Sequence, residues 1–181
     1  MRVISGRFKS RRLIGFKAPH IRPTTDRVKE TIFNILTHEI SDARVLDLFS
    51  GTGNLGIEAL SRGANYVEFV ENNKTSLRII KDNLQELGVT SNVRVSAQDV
   101  FDFLKSYKGE PFSVIFIDPP FTEEIAHKCM LAIAHSQVAA INTRVVIEAS
   151  RHERIDDKYG PFRLLDRRQF GDKSASFFQR E

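Results

Sequence analysis

The 181-residue sequence predicts an α/β fold, a mostly parallel sheet with helices on both faces, and three features carry that prediction. From Arg44 onward, short β-rich runs alternate with segments of helical periodicity, the pattern that right-handed crossovers turn into a parallel sheet. Val45-Leu46-Asp47-Leu48-Phe49 runs straight into a glycine loop, Ser50-Gly51-Thr52-Gly53-Asn54-Leu55-Gly56. Val114-Ile115-Phe116-Ile117 is cut off by Asp118-Pro119-Pro120-Phe121, because proline supplies no N–H to a ladder. Both interruptions fall at the carboxyl end of a strand, the edge at which open α/β sheets bind ligands.

In chain order, Arg2-Val3-Ile4-Ser5 and Arg12-Leu13-Ile14 flank an arginine-rich turn and suggest a small hairpin. Phe8 in that turn suits either stacking on a base or anchoring in the core. Arg22-Pro23-Thr24-Thr25-Asp26 is extended and ends in helix-capping residues. A helix follows with Val28, Ile32, Ile35 and Leu36 on its apolar face. Strands are expected at 44–49, 66–70, 92–96, 112–117 and 143–149, with helices at about 54–62, 73–87, 99–107 and 122–137. Leu77, Ile80, Leu84 and Leu87 share a helix face, and Gly63 and Gly88 follow their helices as C-terminal caps. Phe162-Arg163-Leu164-Leu165 and Ala175-Ser176-Phe177-Phe178 flank Gly171-Asp172-Lys173, which adds an antiparallel hairpin and brings the sheet to seven strands. Residues 1–40 are expected to form a basic extension and 41–181 the α/β body, together effectively one compact unit.

Charge is distributed unevenly. The first 30 residues hold nine Arg or Lys against Asp26 and Glu30, while the whole chain nets only +4, so the body is net acidic. A basic arm on an acidic body fits an arm that meets a polyanion and a body that holds a small ligand. Arg7, Lys9, Arg11, Arg12 and Arg22 are the candidate phosphate contacts. One cysteine, Cys129, permits no intramolecular disulfide, and the five histidines lack metal-ligand spacing, so no metal is expected. With neither a signal peptide nor a membrane-spanning run, a cytoplasmic monomer without membrane contact is the expectation.

Gly51, Gly53 and Gly56 satisfy G-x-G-x-x-G, and Glu71 lies twenty residues beyond Gly51 at the tip of the next strand. On spacing alone this is a dinucleotide fingerprint, and a nicotinamide-dependent oxidoreductase is one reading. Asp47 argues for another ligand, since a carboxylate four residues ahead of the loop opposes a pyrophosphate but suits an ammonium or sulfonium. S-adenosylmethionine carries both charges and a ribose. Glu71 is placed to accept the ribose hydroxyls and Asp99 the adenine amine. Each has a bland alternative: Asp47 as a buried turn acceptor, Glu71 as a solvated residue, Asp99 as a helix N-cap. Downstream, Asp118 and the carbonyl of Pro119 suit the two N–H groups of an exocyclic amine, with Phe121 stacking on its ring. The same tetrapeptide would serve an adenine-N6 methyltransferase of DNA. A non-catalytic RNA-binding module would need the arm alone and has no use for Asp47, Glu71 and Asp118.

The segments Met1-Arg2-Val3-Ile4-Ser5-Gly6, Arg22-Pro23-Thr24-Thr25-Asp26-Arg27-Val28-Lys29-Glu30, Asp47-Leu48-Phe49-Ser50-Gly51-Thr52-Gly53, Leu55-Gly56-Ile57-Glu58-Ala59-Leu60 and Asp118-Pro119-Pro120-Phe121 resemble the bacterial 16S ribosomal RNA guanine-N2 methyltransferases. The resemblance runs nearly end to end. It implies a Rossmann-like class I methyltransferase fold, S-adenosylmethionine as donor, and guanine 966 of the small-subunit RNA as target, presented as 16S RNA or as an assembled small subunit. By that resemblance Asp47, Phe49, Gly51, Gly53, Glu71 and Asp99 hold the donor, and Asp118, Pro119 and Phe121 form the catalytic set. Position 121 holds Phe where the family more often has Tyr, which keeps a stacking face and removes a hydroxyl.

Overall fold

The computed structural model describes residues 1–16, 25–120 and 124–181, so Arg22 and Phe121 lie outside the described residues. The elements run α1 (Asp26–Ile35), α2 (Thr37–Ile40), β1 (Arg44–Leu48), α3 (Asn54–Ser61), β2 (Tyr66–Glu71), α4 (Lys74–Glu86) and β3 (Val93–Ala97). They continue with α5 (Val100–Ser106), β4 (Phe112–Ile117), α6 (Ile125–Ala134), β5 (Ala139–Ser150), β6 (Lys158–Tyr159), β7 (Phe162–Phe170) and β8 (Lys173–Arg180). The described strands form one sheet in the order β3-β2-β1-β4-β5-β8-β7-β6. The first five are parallel, and β8 lies antiparallel between β5 and β7. Seven strands were expected; the eighth is the two-residue β6, too short to leave a periodic trace.

Strand parity divides the core. Val45, Phe69, Val114, Phe116, Val146 and Phe177 face α1, α3 and α4, while Leu46, Leu48, Ile115, Ile117, Ile147 and Phe178 face α5 and α6. Buried on both faces, the central strands are continuous apolar runs rather than alternating ones. Strand order reverses between β1 and β4, and the crevice that opens there is the ligand position of an open α/β sheet.

Several boundaries moved for local reasons. β5 begins at Ala139 rather than 143, through a register shift between the pairs Phe112↔Ala139 and Val114↔Arg144. The Thr143 hydroxyl closes that irregularity by donating to the Phe112 carbonyl and accepting from the Ala140 N–H. In α1 the inward face is Val28, Lys29, Ile32 and Phe33, and Ile35 is exposed. Phe33 displaces Ile35 because its ring meets Phe116 at 5.4 Å. The expected small N-terminal hairpin is present: the bridge Arg2↔Arg12 is flanked by backbone hydrogen bonds from Val3 N–H to the Arg11 carbonyl, from Leu13 N–H to the Met1 carbonyl and from Ser10 N–H to the Val3 carbonyl.

Side chains fasten that arm to the body. Glu58 of α3, fully buried, accepts from the backbone N–H groups of Ile4 and Ser5 at 2.8 and 3.0 Å and from Arg62 Nε at 2.8 Å. Lys29, also buried, meets Glu58 at 3.1 Å and donates to the Arg2 carbonyl at 2.6 Å and to Asn54 Oδ1 at 2.8 Å. Val3 and Leu13 sink into the core beside them. Gly6, at φ 83°, turns the arm against the end of α3, where a Cβ would lie 1.8 Å from the Ser61 carbonyl oxygen.

Removing one partner of such a buried ionic cluster costs about 3–5 kcal/mol. Glu58→Ala is therefore expected to lower stability by about that amount. It should also strip hydrogen-exchange protection from the Ile4 and Ser5 amides while β4 amides keep protection up to the remaining global stability. An arm that stays protected in the variant would show that Val3 and Leu13 alone hold it.

Candidate functional site

The glycine loop turns tightly because its residues adopt left-handed backbone. Gly51 and Gly53 sit at φ 54° and 80°, and Phe49 reaches φ 57° without being glycine. For a bulky aromatic that conformation is strained by about 1–3 kcal/mol, and such residues cluster at ligand sites. Ser50 locks the turn: its hydroxyl donates to the Asp47 carbonyl and lies within reach of the Val70 carbonyl, to which its N–H also donates. Gly56 serves packing instead. A Cβ there would lie 2.3 Å from the Phe69 ring and 2.9 Å from Asp47 Oδ2.

That close approach lets the Gly56 N–H donate to Asp47 Oδ2 at 2.9 Å. Asp47 is otherwise desolvated, and burial, with a smaller contribution from the Glu71 charge, pushes its carboxyl up to about 8. Glu71, at the tip of β2, is far from a merely solvated residue. Its oxygens accept from the N–H groups of Gly51, Asn72 and Asn73 at 2.8 to 2.9 Å, which aims the carboxylate across the loop. Asp99 is the N-cap of α5, with Oδ1 accepting from the N–H groups of Phe101 and Asp102. Capping fixes the orientation of that carboxylate and does not exclude a ligand contact through its other oxygen.

Asp47, Phe49, Gly51, Glu71, Asp99, Asp118 and Pro119 all line one cleft of about 760 Å³, although they come from four separate strand ends. Gly53 does not line it; its Cα faces Ile57, Ile80 and Phe69, so its contribution is the turn. Arg7, Lys9, Arg11 and Arg12 are exposed but lie away from the cleft. Met1 and Gly15-Phe16 reach the cleft edge, whereas Arg7 lies at the far end of α3, where its N–H donates to the Ser61 carbonyl. Eight residues of helix place the tip of the arm roughly 12 Å from the cleft. Phe8 packs on the core beneath the Arg7 guanidinium, 4.4 Å from its ring centroid, which decides for anchoring over base stacking.

The cleft also contains residues that sequence reasoning missed. Phe101, the second residue of α5, supplies an aromatic wall beside Asp99. Asn54, the first residue of α3, joins the cleft to buried Lys29. Lys173, from the start of β8, forms part of the wall that also includes Asp118. Spacing from Asp99 would have found Phe101; Asn54 and Lys173 had no local signal. Among the described residues no cluster of His, Cys, Asp and Glu could hold a metal, and no helix is long and apolar enough to cross a membrane.

A parallel sheet with this strand order, an antiparallel strand beside β5 and carboxylates converging on the switch-point crevice define a Rossmann-like class I methyltransferase fold. The family model described as "Conserved hypothetical protein 95" matches residues 1–179. Ribosomal RNA small subunit methyltransferase D of Haemophilus influenzae is 39% identical over 153 residues, covering 83% of this chain and 79% of the relative. Its Escherichia coli namesake is 32% identical over 181 residues, covering 100% of this chain and 90% of the relative. The solved structure of the Escherichia coli protein yhhF superimposes with a TM-score of 0.89 at 31% identity, covering 100% of this chain and 98% of that one. The chain belongs to the conserved hypothetical protein 95 family and, within it, to the ribosomal RNA small subunit methyltransferase D group.

The Asp47 carboxyl gives a pH signature. Its folded value, about 8, lies above the ordinary 3.8, so the folded chain keeps a proton that the unfolded chain releases. The resulting stability is complete below 3.8 and drains away as pH rises toward 8. Asp47→Asn keeps an oxygen acceptor for Gly56 and cannot ionise. The urea midpoint of the ligand-free variant should therefore gain on that of the unsubstituted protein between about pH 5 and pH 8. Parallel midpoint curves would show that Asp47 does not titrate in this window.

Proposed function

We propose that the protein transfers the methyl group of S-adenosylmethionine to the exocyclic N2 amine of a guanine in 16S ribosomal RNA, with guanine 966 as the target by family resemblance. One observation carries the reading. Carboxylates from three successive strand ends, Asp47, Glu71 and Asp99, line the same cleft as Asp118 and Pro119. A cationic nucleoside fits the first set and an amine the second. The cleft volume lies in the range of small-molecule sites, roughly 300–1,000 Å³.

In this assignment Asp47 faces the ammonium end of the donor, Glu71 the ribose hydroxyls and Asp99 the adenine amine, with Phe101 against the adenine ring. Bound S-adenosylmethionine supplies an electrophilic methyl on a sulfonium. The chain's own residues act on the acceptor. The lone pair of a guanine N2 amine is delocalised into its ring, and hydrogen bonds from its N–H groups to Asp118 and the Pro119 carbonyl hold the nitrogen out of conjugation. The same two acceptors stabilise positive charge developing on that nitrogen. The proton leaves to Asp118 or water, so no strong base is needed. Most of the acceleration comes from alignment, with proton transfer contributing at most ~10²–10⁴-fold. Phe121 completes the catalytic set by stacking on the target base. The base must leave its stack to enter, which favours an RNA loop or an exposed helix end.

The basic arm and the body act as one unit in this proposal. Arg7, Lys9, Arg11, Arg12 and Arg22 contact RNA phosphates. Because the arm's tip is about a helix length from the cleft, it meets phosphates flanking the target rather than the target nucleotide.

The deciding experiment offers labelled S-adenosylmethionine with unmodified small subunits, naked 16S RNA and unmethylated duplex DNA in parallel. Label mapping to N2 of a guanine in the RNA is expected, and label in DNA adenine would replace the reading with an N6 one. Asp118→Ala should abolish transfer and leave donor affinity by calorimetry nearly unchanged. A severe loss of donor binding would refute the division between donor and acceptor residues. Neutralising Arg7, Arg11 and Arg12 together should weaken RNA binding and reduce the slope of log affinity against log salt by about 2–3. An unchanged slope would remove the arm from the interface.

A further inference from the structure

One amide interrupts the apolar face of α4. Asn83 lies between Ile80 and Leu84 on that face and is 1% exposed, yet its side chain is fully employed. Oδ1 accepts from the Ile14 N–H at 2.7 Å, and Nδ2 donates to the Ile14 carbonyl and to the Thr52 carbonyl, each at 3.1 Å. One acceptor and two N–H donors are thereby matched to three backbone groups of two segments far apart in the sequence. Ile14 ends the returning limb of the arm, and Thr52 stands between Gly51 and Gly53 in the glycine loop.

Both segments continue into the cleft. Thr52 lines it, and the peptide joining Thr52 to Gly53 is held at both ends, its carbonyl by Asn83 and its N–H by the Ser50 carbonyl at 2.7 Å. Gly15 and Phe16, directly after Ile14, line the same cleft, and so does Met1, whose sulfur is 3.5 Å from the Thr52 hydroxyl. Met1 is tied in turn to the returning limb, since its carbonyl accepts from the Leu13 N–H at 3.2 Å. One wall of the cleft is thus built from both limbs of the arm, and Asn83 fastens that wall to the glycine loop. Burying a primary amide costs free energy that only a full set of hydrogen bonds offsets. A leucine of similar volume would continue the apolar face and leave the Ile14 N–H and two carbonyls without this partner. What the amide adds is position rather than burial.

We infer that Asn83 is a positioning residue for the methyl donor: it fixes the arm as a wall of the donor cleft, so that arm docking and S-adenosylmethionine binding favour one another. This rests on the donor occupying the cleft and is independent of which base is methylated. Asn83 does not itself line the cleft and acts through Thr52 and Ile14. The coupling is reciprocal. A protein whose arm is loosened at Ile14 binds the donor less tightly, and bound donor holds the arm down by the same factor.

Two measurements test the coupling from its two ends. In the unsubstituted protein, saturating S-adenosylhomocysteine, the product left after methyl transfer, should slow hydrogen exchange of the Ile14 amide by roughly tenfold or more. In Asn83→Leu, the dissociation constant for S-adenosylmethionine by calorimetry should rise roughly ten- to a hundredfold. The donor KM should rise with it, while kcat at saturating donor stays within about threefold, because Asp118 and Pro119 come from another strand end. A merely structural role gives the opposite split, a smaller folded fraction that lowers apparent kcat and leaves donor affinity unchanged.

The exchange measurement needs no variant, so it decides even where Asn83→Leu fails to fold. Ile14 exchange unaffected by saturating ligand would overturn the proposal, and so would unchanged donor affinity in folded Asn83→Leu. No binding of S-adenosylhomocysteine to the unsubstituted protein would instead overturn the donor reading of the cleft, and the role of Asn83 with it.

Discussion

A single buried carboxylate ties the parts of this protein together. Glu58 sits mid-way along α3 and gathers two backbone N–H groups of the arm, the Arg62 guanidinium and the Lys29 ammonium. Ile4 and Ser5 lie in the arm and Lys29 in α1, so the carboxylate ties both segments to α3. The arm's own ladder is short, and α1 meets the sheet through Phe33 on Phe116. Desolvating a carboxylate is expensive, and only a saturated set of donors offsets it. The geometry is therefore all-or-none: a shifted arm or a rotated α1 would leave charge buried without a partner. Because Lys29 also donates to Asn54 at the mouth of the glycine loop, this cluster links the arm to the floor of the cleft.

The chemistry of the cleft follows from strand parity. Val45 and Val114, paired across β1 and β4, face α1 and α3, and so do Phe116 and Val146. Continuing the period of two toward the carboxyl edge brings Asp47, Asp118 and Glu148 to that same face. Within the core those positions are apolar. Toward the carboxyl edge they become carboxylates. A one-residue slip of β4 would send Asp118 to the α5 and α6 side, so the register that packs the core also assembles the site.

This explains which parts were legible in the sequence. Val114 to Ile117 could be read as a buried strand ended by proline, and Gly51 to Gly56 as a turn, because both signals are local. Asp47, Glu71 and Asp99 followed once their strands were placed, since their positions relative to strand ends are fixed by counting. The inward face of α1 was misassigned because Ile35 and Phe33 satisfy helical periodicity comparably, and only the position of Phe116 chooses between them. Lys173 was invisible for a related reason. Its partner Glu148 is 25 residues away, and the contact exists only because β8 inserts beside β5. The charge of the arm was legible, but its distance from the cleft depends on the length of α3 and on Gly6 fitting against Ser61.

The glycine loop holds two unfavourable features within three residues, a desolvated carboxylate at Asp47 and a left-handed aromatic at Phe49. Neither helps the fold, and Ser50, bonded to β1 and β2 between them, keeps the loop from relaxing both. A cationic ligand changes the balance at Asp47 by restoring the ionised form that burial suppresses. Part of its binding energy is consumed in displacing the proton, so affinity should strengthen as pH rises toward 8, over the same range in which the ligand-free protein loses stability. The two trends have one origin. A site that prefers a proton when empty and a cation when filled is most destabilised, and most receptive, at the same pH.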